Sequence, residues 1–189
     1  MPSGIPVINT IKYHYKTMPQ FNTKNFECQG NTDKNIHLEN TEDTCEAIIK
    51  LSTNALRSIK IFTPDLEHKL YDNDTFRETL LSFSRGNRHA NIQILVTDIS
   101  FATQRGHQLI RLAQKLSTAV KIKITPEEYT DTNISFIQID QSDFIFKTDS
   151  TNPHAIQCNC KNRSNTLLEF FIPVWEQAEI APQSKQFHI

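Results

Sequence analysis

The chain has 189 residues, of which 38% are hydrophobic, and a formal net charge of −1. This length supports one domain of ordinary size with tails, and the balanced charge gives no overall attraction to nucleic acid or to an anionic membrane. No apolar run is long enough for a membrane-spanning helix and the N-terminus lacks a signal peptide's apolar core, so we expect a cytoplasmic protein.

The two ends of the sequence differ from its centre. Residues 1–39 are rich in Asn, Thr, Lys and Pro and show no sustained hydrophobic period. Such a segment buries too little apolar surface to offset its ordering entropy, so we expect a flexible arm. The domain is then expected over residues 40–178, and residues 179–189 are expected to form an unstructured tail.

The cysteines do not indicate a metal site. Cys158 and Cys160 are the only two of the four that are close in sequence, and Cys28 and Cys45 lie far from them. No second Cys or His pair stands at zinc-site spacing, and His154 alone is a poor third ligand. We expect reduced, buried thiols and no metal or other cofactor.

The first half of the domain alternates helices with apolar strands. A helix is predicted to begin at Asn40, which suits an N-cap, and to end near Arg57. Strands are predicted at 58–63, 92–96 and 120–124, with a helix after each of the first two, and this order favours a mainly parallel sheet. The buried stripe expected on the first helix is Cys45, Ile48, Ile49 and Leu56.

The second half changes character. The segments NISFIQID, DFIFK and AIQCNC predict short strands joined by turns, more like a meander than crossover units. A last helix is predicted over about 164–177, with a kink or break at Pro173 because proline leaves the carbonyl of Glu169 without its partner. The fold class predicted is α/β, a mixed and mainly parallel sheet flanked by helices.

This order of elements resembles one half of the phospholipase D-like fold. In that family a strand carries H-x-K-x4-D, and a closing helix carries F-x3-W. The closing helix here contains Phe171 and Trp175, and the motif can be laid on residues 133–140. Asp140 then matches, whereas the motif's His and Lys are replaced by Asn133 and Ser135. The Asn-containing segment before the closing helix offers Asn159 and Asn162.

A closer resemblance is carried by IFTPDLEHKLYD, ILVTD and RGHQLIRLAQKL. These segments are similar to a bacterial family of phospholipase D-like domains of unknown function, some attached to a GNAT-type acyltransferase domain. The resemblance covers roughly residues 41–178, and the arm before it is too short to hold an acyltransferase. It implies an acyltransferase-type protein as one candidate partner.

The replaced residues decide what the resemblance implies about chemistry. In active members the histidine forms a phosphohistidine and the lysine stabilises the phosphoryl oxygens, and neither Asn133 nor Ser135 can do this. We therefore expect a pseudoenzyme: a non-catalytic binding or regulatory domain whose sheet-edge cleft holds a phosphate-bearing ligand or contacts a partner. Active members pair two halves, so a site of that design would require a homodimer here.

Four polar residues are candidates for the site: Asp65, Asp98, His107 and Asp140. Each follows or ends a strand or begins a helix, so we expect them to converge at the carboxyl edge of the sheet. One interpretation is a hydrolase of altered chemistry that uses His107 with Asp65 or Asp98 as acid, base or metal ligand. The other makes the acids turn or cap residues and His107 a packed helix-start residue.

A basic run without an acid extends from residue 99 to residue 125. Arg105 beside Gly106 at a helix start suggests an anion site that would suit a phosphate. The other interpretation is a solvated surface, since Arg111 and Lys115 share the outward face of a helix. Nucleic-acid binding through this run is the least favoured function, given the balanced overall charge. The run consists of Arg105, Arg111, Lys115, Lys121 and Lys123.

Overall fold

The computed structural model describes residues 35–184. The predictions made for residues 1–34 of the arm and 185–189 of the tail lie outside these residues. The described chain contains eight strands and six α-helices, with 3₁₀ turns at Glu127–Tyr129 and Pro182–Ser184. The strands are β1 (Asn35–Leu38), β2 (Ser58–Thr63), β3 (Asn91–Val96), β4 (Val120–Ile124), β5 (Ser135–Ile139), β6 (Asp143–Lys147), β7 (Ala155–Asn159) and β8 (Glu179–Ile180). The helices are α1 (Thr41–Thr53), α2 (His68–Tyr71), α3 (Asp74–Gly86), α4 (Ser100–Arg105), α5 (Gln108–Lys115) and α6 (Lys161–Gln177).

All eight strands form one sheet in the order β1-β7-β6-β5-β2-β3-β4-β8. Only β2 with β3 and β3 with β4 pair in parallel, and the other five pairings between described strands are antiparallel. The α/β class and the mixed sheet are confirmed, but the expectation of a mainly parallel sheet is wrong. Short turns join β5 to β6 and β6 to β7, and such turns can connect only antiparallel neighbours.

Helices cover both faces of the sheet, and each face has its own core. Ile48 of α1, Phe76 of α3 and Leu109 of α5 pack on one face, where the inward residues of β2 to β4 are aliphatic. The opposite face is covered by α6 and is aromatic. On that face the ring of Phe62 lies 5.1 Å from that of Phe170, centroid to centroid, and edge-on to it. Within the described residues, α6 is therefore the helix that shields this face of the sheet from solvent.

Local sequence explains where the first two long helices begin. The side chain of Asn40 accepts a hydrogen bond from the backbone N–H of Asp43 at 2.7 Å, and Asn73 accepts one from Phe76 at 2.8 Å. These bonds satisfy backbone donors that the first turn leaves without a helical partner. The predicted N-cap at Asn40 is thus the cap in the structure.

The domain extends further than the sequence suggested at both ends. Residues 35–38, expected in the arm, form β1 and pair with β7. Residues 179–180, expected in the tail, form β8 and pair with β4, and Ala181 beyond them is buried. Both segments are too short for a periodic pattern, and pairing with an existing strand edge supplies the backbone partners that stabilise them.

The helices differ from the prediction in three respects. α1 ends at Thr53 rather than near Arg57, and Leu56 is 75% exposed instead of buried. α6 continues through Pro173, so the predicted break is absent and the alternative of a kink stays a prediction; Pro173 is exposed. The short helices α2 and α4 were not foreseen, because four to six residues are too few to show a helical period.

Candidate ligand-binding site

A buried ion pair lies at the carboxyl end of β2. The side chains of Glu67 and Lys147 are 8% and 7% exposed, and the Lys147 ammonium donates to Glu67 Oε2. The other carboxylate oxygen, Oε1, accepts a hydrogen bond from the hydroxyl of Ser135 and a longer one, 3.4 Å, from that of Thr63. Lys147 also donates to the backbone carbonyl of Ser150 at 2.7 Å. One carboxylate thus gathers three donors from three strands.

The strands hold these donors in fixed places. Ser135 is the first residue of β5 and Lys147 the last of β6, and the two are paired directly across the ladder. Thr63 ends β2, which pairs with β5 on its other side. The donors therefore lie at one edge of the sheet, because β5 runs antiparallel to both β2 and β6.

The carboxylate, in contrast, comes from a loop with unusual backbone angles. Leu66 has φ 66° and Glu67 has φ 23°, both in the left-handed range that non-glycine residues rarely adopt. The loop is held by Asp65, whose carboxylate accepts a hydrogen bond from the N–H of Glu67 at 2.9 Å, and by the start of α2. Strain of this kind persists only where the surrounding contacts enforce it, and it is concentrated at functional sites.

Burial dominates the electrostatics of this group. It raises the pKa of Glu67 above its usual range, and Lys147 and the Ser135 hydroxyl only partly oppose that shift. Tyr71, buried beside them, is hydrogen-bonded to Ser135, and burial raises its pKa well above the usual range. Tyr71 is therefore a neutral hydroxyl at physiological pH.

The ion pair forms part of the wall of a cleft of about 360 Å³. We call it the edge cleft. Its charged lining is balanced: Asp65 and Glu67 are opposed by Lys69 and Lys147, with His68 on the rim. Thr41 at the start of α1 and residues 150–153 complete it. The space suits a small polar ligand.

Of the predicted site residues, Asp65 and Asp98 do lie near each other at the carboxyl edge. The backbone N–H of Asp98 donates to the carbonyl of Pro64 at 2.7 Å, next to Asp65. The Asp98 carboxylate accepts the N–H of Ser100 at 2.8 Å, and hydrogen bonds from Ser100 lower its pKa. Asp65 lines the edge cleft, whereas Asp98 lies outside it, two residues before α4 begins. Each acid accepts the N–H of the residue two positions ahead, which is the turn role that the sequence left as an alternative.

His107 is a buried structural residue. Its Nδ1 accepts the N–H of Leu109 at 3.1 Å as the N-cap of α5, so Nε2 carries the proton and donates to the carbonyl of Leu66 at 3.2 Å. Burial lowers its pKa, although Asp72 lies 3.9 Å away and opposes the shift. Both ring nitrogens are therefore engaged, neither of them by Asp65 or Asp98, and the hydrolase interpretation loses the geometry it needs.

The geometry at Arg105 and Gly106 does not favour the anion site expected there. Gly106 has φ 66° and ends α4, which is the usual role of a left-handed glycine. At the start of α5 the Asp72 carboxylate already accepts the N–H of Gln108 at 2.9 Å, so an anion there would meet a like charge. Arg105 lies over the exposed ring of Phe101, 4.4 Å from its centroid.

The basic run does not form one surface. Arg111 is on α5, whose buried side belongs to the aliphatic core, while Lys123 points to the other face of the sheet. There the Lys123 ammonium donates to the carbonyl of Trp175 at 2.7 Å and lies 4.8 Å from the centre of its ring. Arg111 and Lys123 therefore lie on opposite faces of the sheet.

Asp140 does not join the other predicted site residues. Its carboxylate accepts the backbone N–H groups of Leu56, Arg57 and Ser58 at 2.7–2.9 Å, at the beginning of β2. Because β5 is antiparallel to β2, the end of β5 lies at the opposite edge of the sheet from Asp65. The expected convergence of all four residues is therefore wrong.

The remaining motif positions do lie at the carboxyl edge. Asn133 is exposed just before β5, and its carbonyl accepts the N–H of Ser150 at 2.8 Å. Ser135 is buried against Glu67. Among residues 35–184 no group of His, Cys, Asp and Glu has the arrangement of a metal site, and the cysteines in this range, Cys45, Cys158 and Cys160, are free thiols.

An α/β sheet of this topology, with one helix on its aromatic face, has the phospholipase D-like fold. It is similar to Nuc from Salmonella typhimurium, a phospholipase D family member, with a TM-score of 0.57, 9% identity, and 79% of this chain and 98% of Nuc covered. NucT from Helicobacter pylori gives a TM-score of 0.56 at 14% identity, with 79% and 99% covered. At these identities the similarity shows the fold alone.

The chain belongs to the family described as Domain of unknown function (DUF7931), whose profile matches residues 40–187. TrmBL2, an archaeal chromatin protein with a novel mode of DNA binding, has the same fold over part of its length. Its TM-score is 0.58 at 14% identity, and the match covers 78% of this chain but only about half, 53%, of TrmBL2. No curated protein matches the sequence. Over the residues that the structure describes, no helix is long and apolar enough to cross a membrane.

Proposed function

We propose that this domain binds a small phosphate-bearing ligand in the edge cleft without cleaving it. The observation that carries the proposal is the state of Ser135, the residue on which the sequence resemblance lays the phospholipase D lysine. Ser135 is 1% exposed and its hydroxyl donates to Glu67, so it offers neither a charge nor an accessible nucleophile. Asn133, laid on the nucleophilic histidine, brings no nucleophile either.

The cleft retains what a binding site needs. It is concave, it opens beside a cation held on a strand, and it is lined by hydroxyl and amide groups. Its position at the carboxyl end of β2 is the kind of place where ligands bind in open α/β sheets. An acyltransferase-type partner and a homodimer rest on the resemblance alone and stay predictions.

A test of this proposal combines turnover with binding. The full chain should not hydrolyse bis(p-nitrophenyl) phosphate above a buffer blank. Inorganic phosphate, glycerol 3-phosphate and AMP are then screened for a rise in Tm, because selective binding to the folded state stabilises it. We expect at least one of them to raise the Tm.

Two charge reversals locate the binding. Lys69→Glu, on the cleft wall, should weaken the rise in Tm, and Lys50→Glu, an exposed lysine of α1 outside the cleft, should leave it unchanged. Hydrolysis that disappears when a cleft residue is changed would disprove the non-catalytic assignment. A rise in Tm that Lys69→Glu does not alter would place the ligand elsewhere.

A further inference from the structure

The contacts of the Glu67 carboxylate are those that an oxyanion ligand would make. It takes one charged donor from Lys147 and hydroxyl donors from Ser135 and Thr63. Phosphate and carboxylate bind to such donors in the same way, through charge-assisted hydrogen bonds to several oxygens. A phosphate group with its additional oxygens would use this set at least as fully as a carboxylate does.

The donors and the acceptor differ in how firmly they are held. The three donors are terminal residues of strands in the middle of an eight-stranded sheet: Ser135 begins β5, Lys147 ends β6 and Thr63 ends β2. Glu67 stands in a loop, after Leu66, where two successive residues have left-handed φ angles. A rigid set of donors that receives a carboxylate from a strained loop is a preformed site with a removable occupant.

A ligand would reach this site through the edge cleft. Glu67 and Lys147 both line that cleft, although each side chain is less than a tenth exposed. Movement of Glu67 alone would free the ammonium and both hydroxyls from the carboxylate that they now contact. The strands would not have to change their pairing.

We propose that Glu67 is an internal carboxylate plug in an oxyanion site formed by Lys147, Ser135 and Thr63, and that the phosphate group of a ligand binds there by displacing it. This proposal rests on the proposed function and specifies the groups that hold the ligand's anion. The plug also lowers the ligand's apparent affinity, because the ligand can bind only to the fraction of molecules in which Glu67 is displaced.

The test uses Glu67→Ala in the full chain and titration calorimetry with inorganic phosphate. Removing the plug should tighten phosphate binding by about ten- to a hundredfold relative to the wild type, the range for a competing state populated at roughly 90–99%. Glu67→Ala/Lys147→Met is the matched control. It removes plug and cation together and should bind no phosphate.

A second variant covers the case in which Glu67→Ala does not fold. Glu67→Gln keeps the shape and removes the charge, and its Tm should rise with added phosphate more than that of the wild type. Acetate, which resembles the missing side chain, should raise the Tm of Glu67→Ala and not that of Glu67→Ala/Lys147→Met. If the wild type and Glu67→Ala bind phosphate with equal affinity, the plug proposal is wrong. It is also wrong if Glu67→Ala folds but binds no phosphate.

The two proposals fail separately. If the wild type binds none of the phosphate compounds but Glu67→Ala binds phosphate through Lys147, the oxyanion site and its occupation by Glu67 are supported, and the proposed binding of these compounds by the wild type is wrong. If the wild type binds a phosphate compound in a manner sensitive to Lys69→Glu while Glu67→Ala gains no affinity, the edge cleft binds the ligand and the plug is wrong.

Discussion

Lys147 lies directly opposite Ser135 in the β5–β6 ladder, and the carboxylate of Glu67 bonds to both. When the phospholipase D motif is laid on residues 133–140, its lysine falls on Ser135. A cation is nevertheless present at this edge of the sheet, because the neighbouring strand ends in one. What distinguishes the site is that its cation is already neutralised by a carboxylate of the same chain.

The Glu67–Lys147 pair should be strongly coupled. Lys147→Met leaves a buried carboxylate without its partner and should lower the free energy of unfolding by about 3–5 kcal/mol. Glu67→Leu/Lys147→Met replaces both charges with apolar groups and should recover most of that loss. Urea denaturation of the wild type, Lys147→Met, Glu67→Leu and the double variant gives the coupling energy.

An exposed pair is the control for this cycle. Asp74 and Arg77 are 3.3 Å apart on α3, with side chains 82% and 39% exposed. Their coupling should stay below about 1 kcal/mol, because water screens surface charges. A coupling of Glu67 with Lys147 that is no larger would mean that the pair is open to solvent.

The charge on Glu67 should make stability depend on pH. Burial raises its pKa in the folded state, so the folded protein binds this proton more tightly than the unfolded chain does. The contribution of Glu67 to the free energy of unfolding is therefore most favourable at low pH. This contribution is lost as pH rises from the ordinary glutamate pKa through the raised one.

Glu67→Gln isolates this effect because it cannot titrate. The free energy of unfolding of the wild type minus that of Glu67→Gln should fall across that pH window and be constant above it. Asp65, Tyr71 and Lys147, the other titratable groups around the carboxylate, are present in both proteins. A difference that instead grows with pH would show that Lys147 more than compensates for burial.

The sequence predicted what local patterns determine. The N-cap at Asn40 and the strands 58–63 and 92–96 appear in the structure, since capping residues and apolar runs act within a few residues. Glu67 and Lys147 were missed because they are 80 residues apart and meet only when the sheet is assembled. The one local signal was Lys147 at the end of the apolar strand DFIFK, because a charge at such a position must either be hydrated or be paired with an opposite charge.

Strand direction explains the error at Asp140. The segments from residue 133 to residue 160 were correctly predicted as short strands joined by turns. Such strands alternate in direction, so the end of β5 lies with the start of β2. Placing Asp140 with Asp65 required the parallel arrangement that holds only for β2, β3 and β4.

His107 should stabilise the fold in its neutral form. His107→Asn keeps an acceptor for the N-cap of α5 but loses the hydrogen bond to the carbonyl of Leu66. We expect a loss of about 1–3 kcal/mol in the free energy of unfolding at neutral pH, because that buried carbonyl is left unpaired. The exposed His89→Asn should change it by less than about 0.5 kcal/mol.

The pH dependence at His107 has the opposite sign to that at Glu67. Burial lowers the pKa of His107 in the folded state, so its contribution is present above the ordinary histidine pKa and is lost as pH falls through the lowered one. The advantage of the wild type over His107→Asn, measured by guanidinium denaturation, should therefore shrink on acidification. A constant difference would argue against a buried neutral ring. Asp65, His68 and Asp72, which face this ring, are common to both proteins.

Asp140 should be essential to stability and not to ligand binding. Its carboxylate is the acceptor for three backbone N–H groups at the start of β2, and its own φ is 52°. Asp140→Ala should lower the free energy of unfolding by about 2–4 kcal/mol, since it removes the acceptor and puts alanine in a left-handed conformation. Asp140→Asn tolerates that conformation and keeps one acceptor oxygen, so it should lose clearly less. The exposed Asp131→Ala is the control and should have little effect.

In Asp140→Ala, measured below its lowered melting point, a phosphate compound that binds the wild type should bind with unchanged affinity. A selective loss of that affinity would return Asp140 to the site and require the strand arrangement that the structure contradicts.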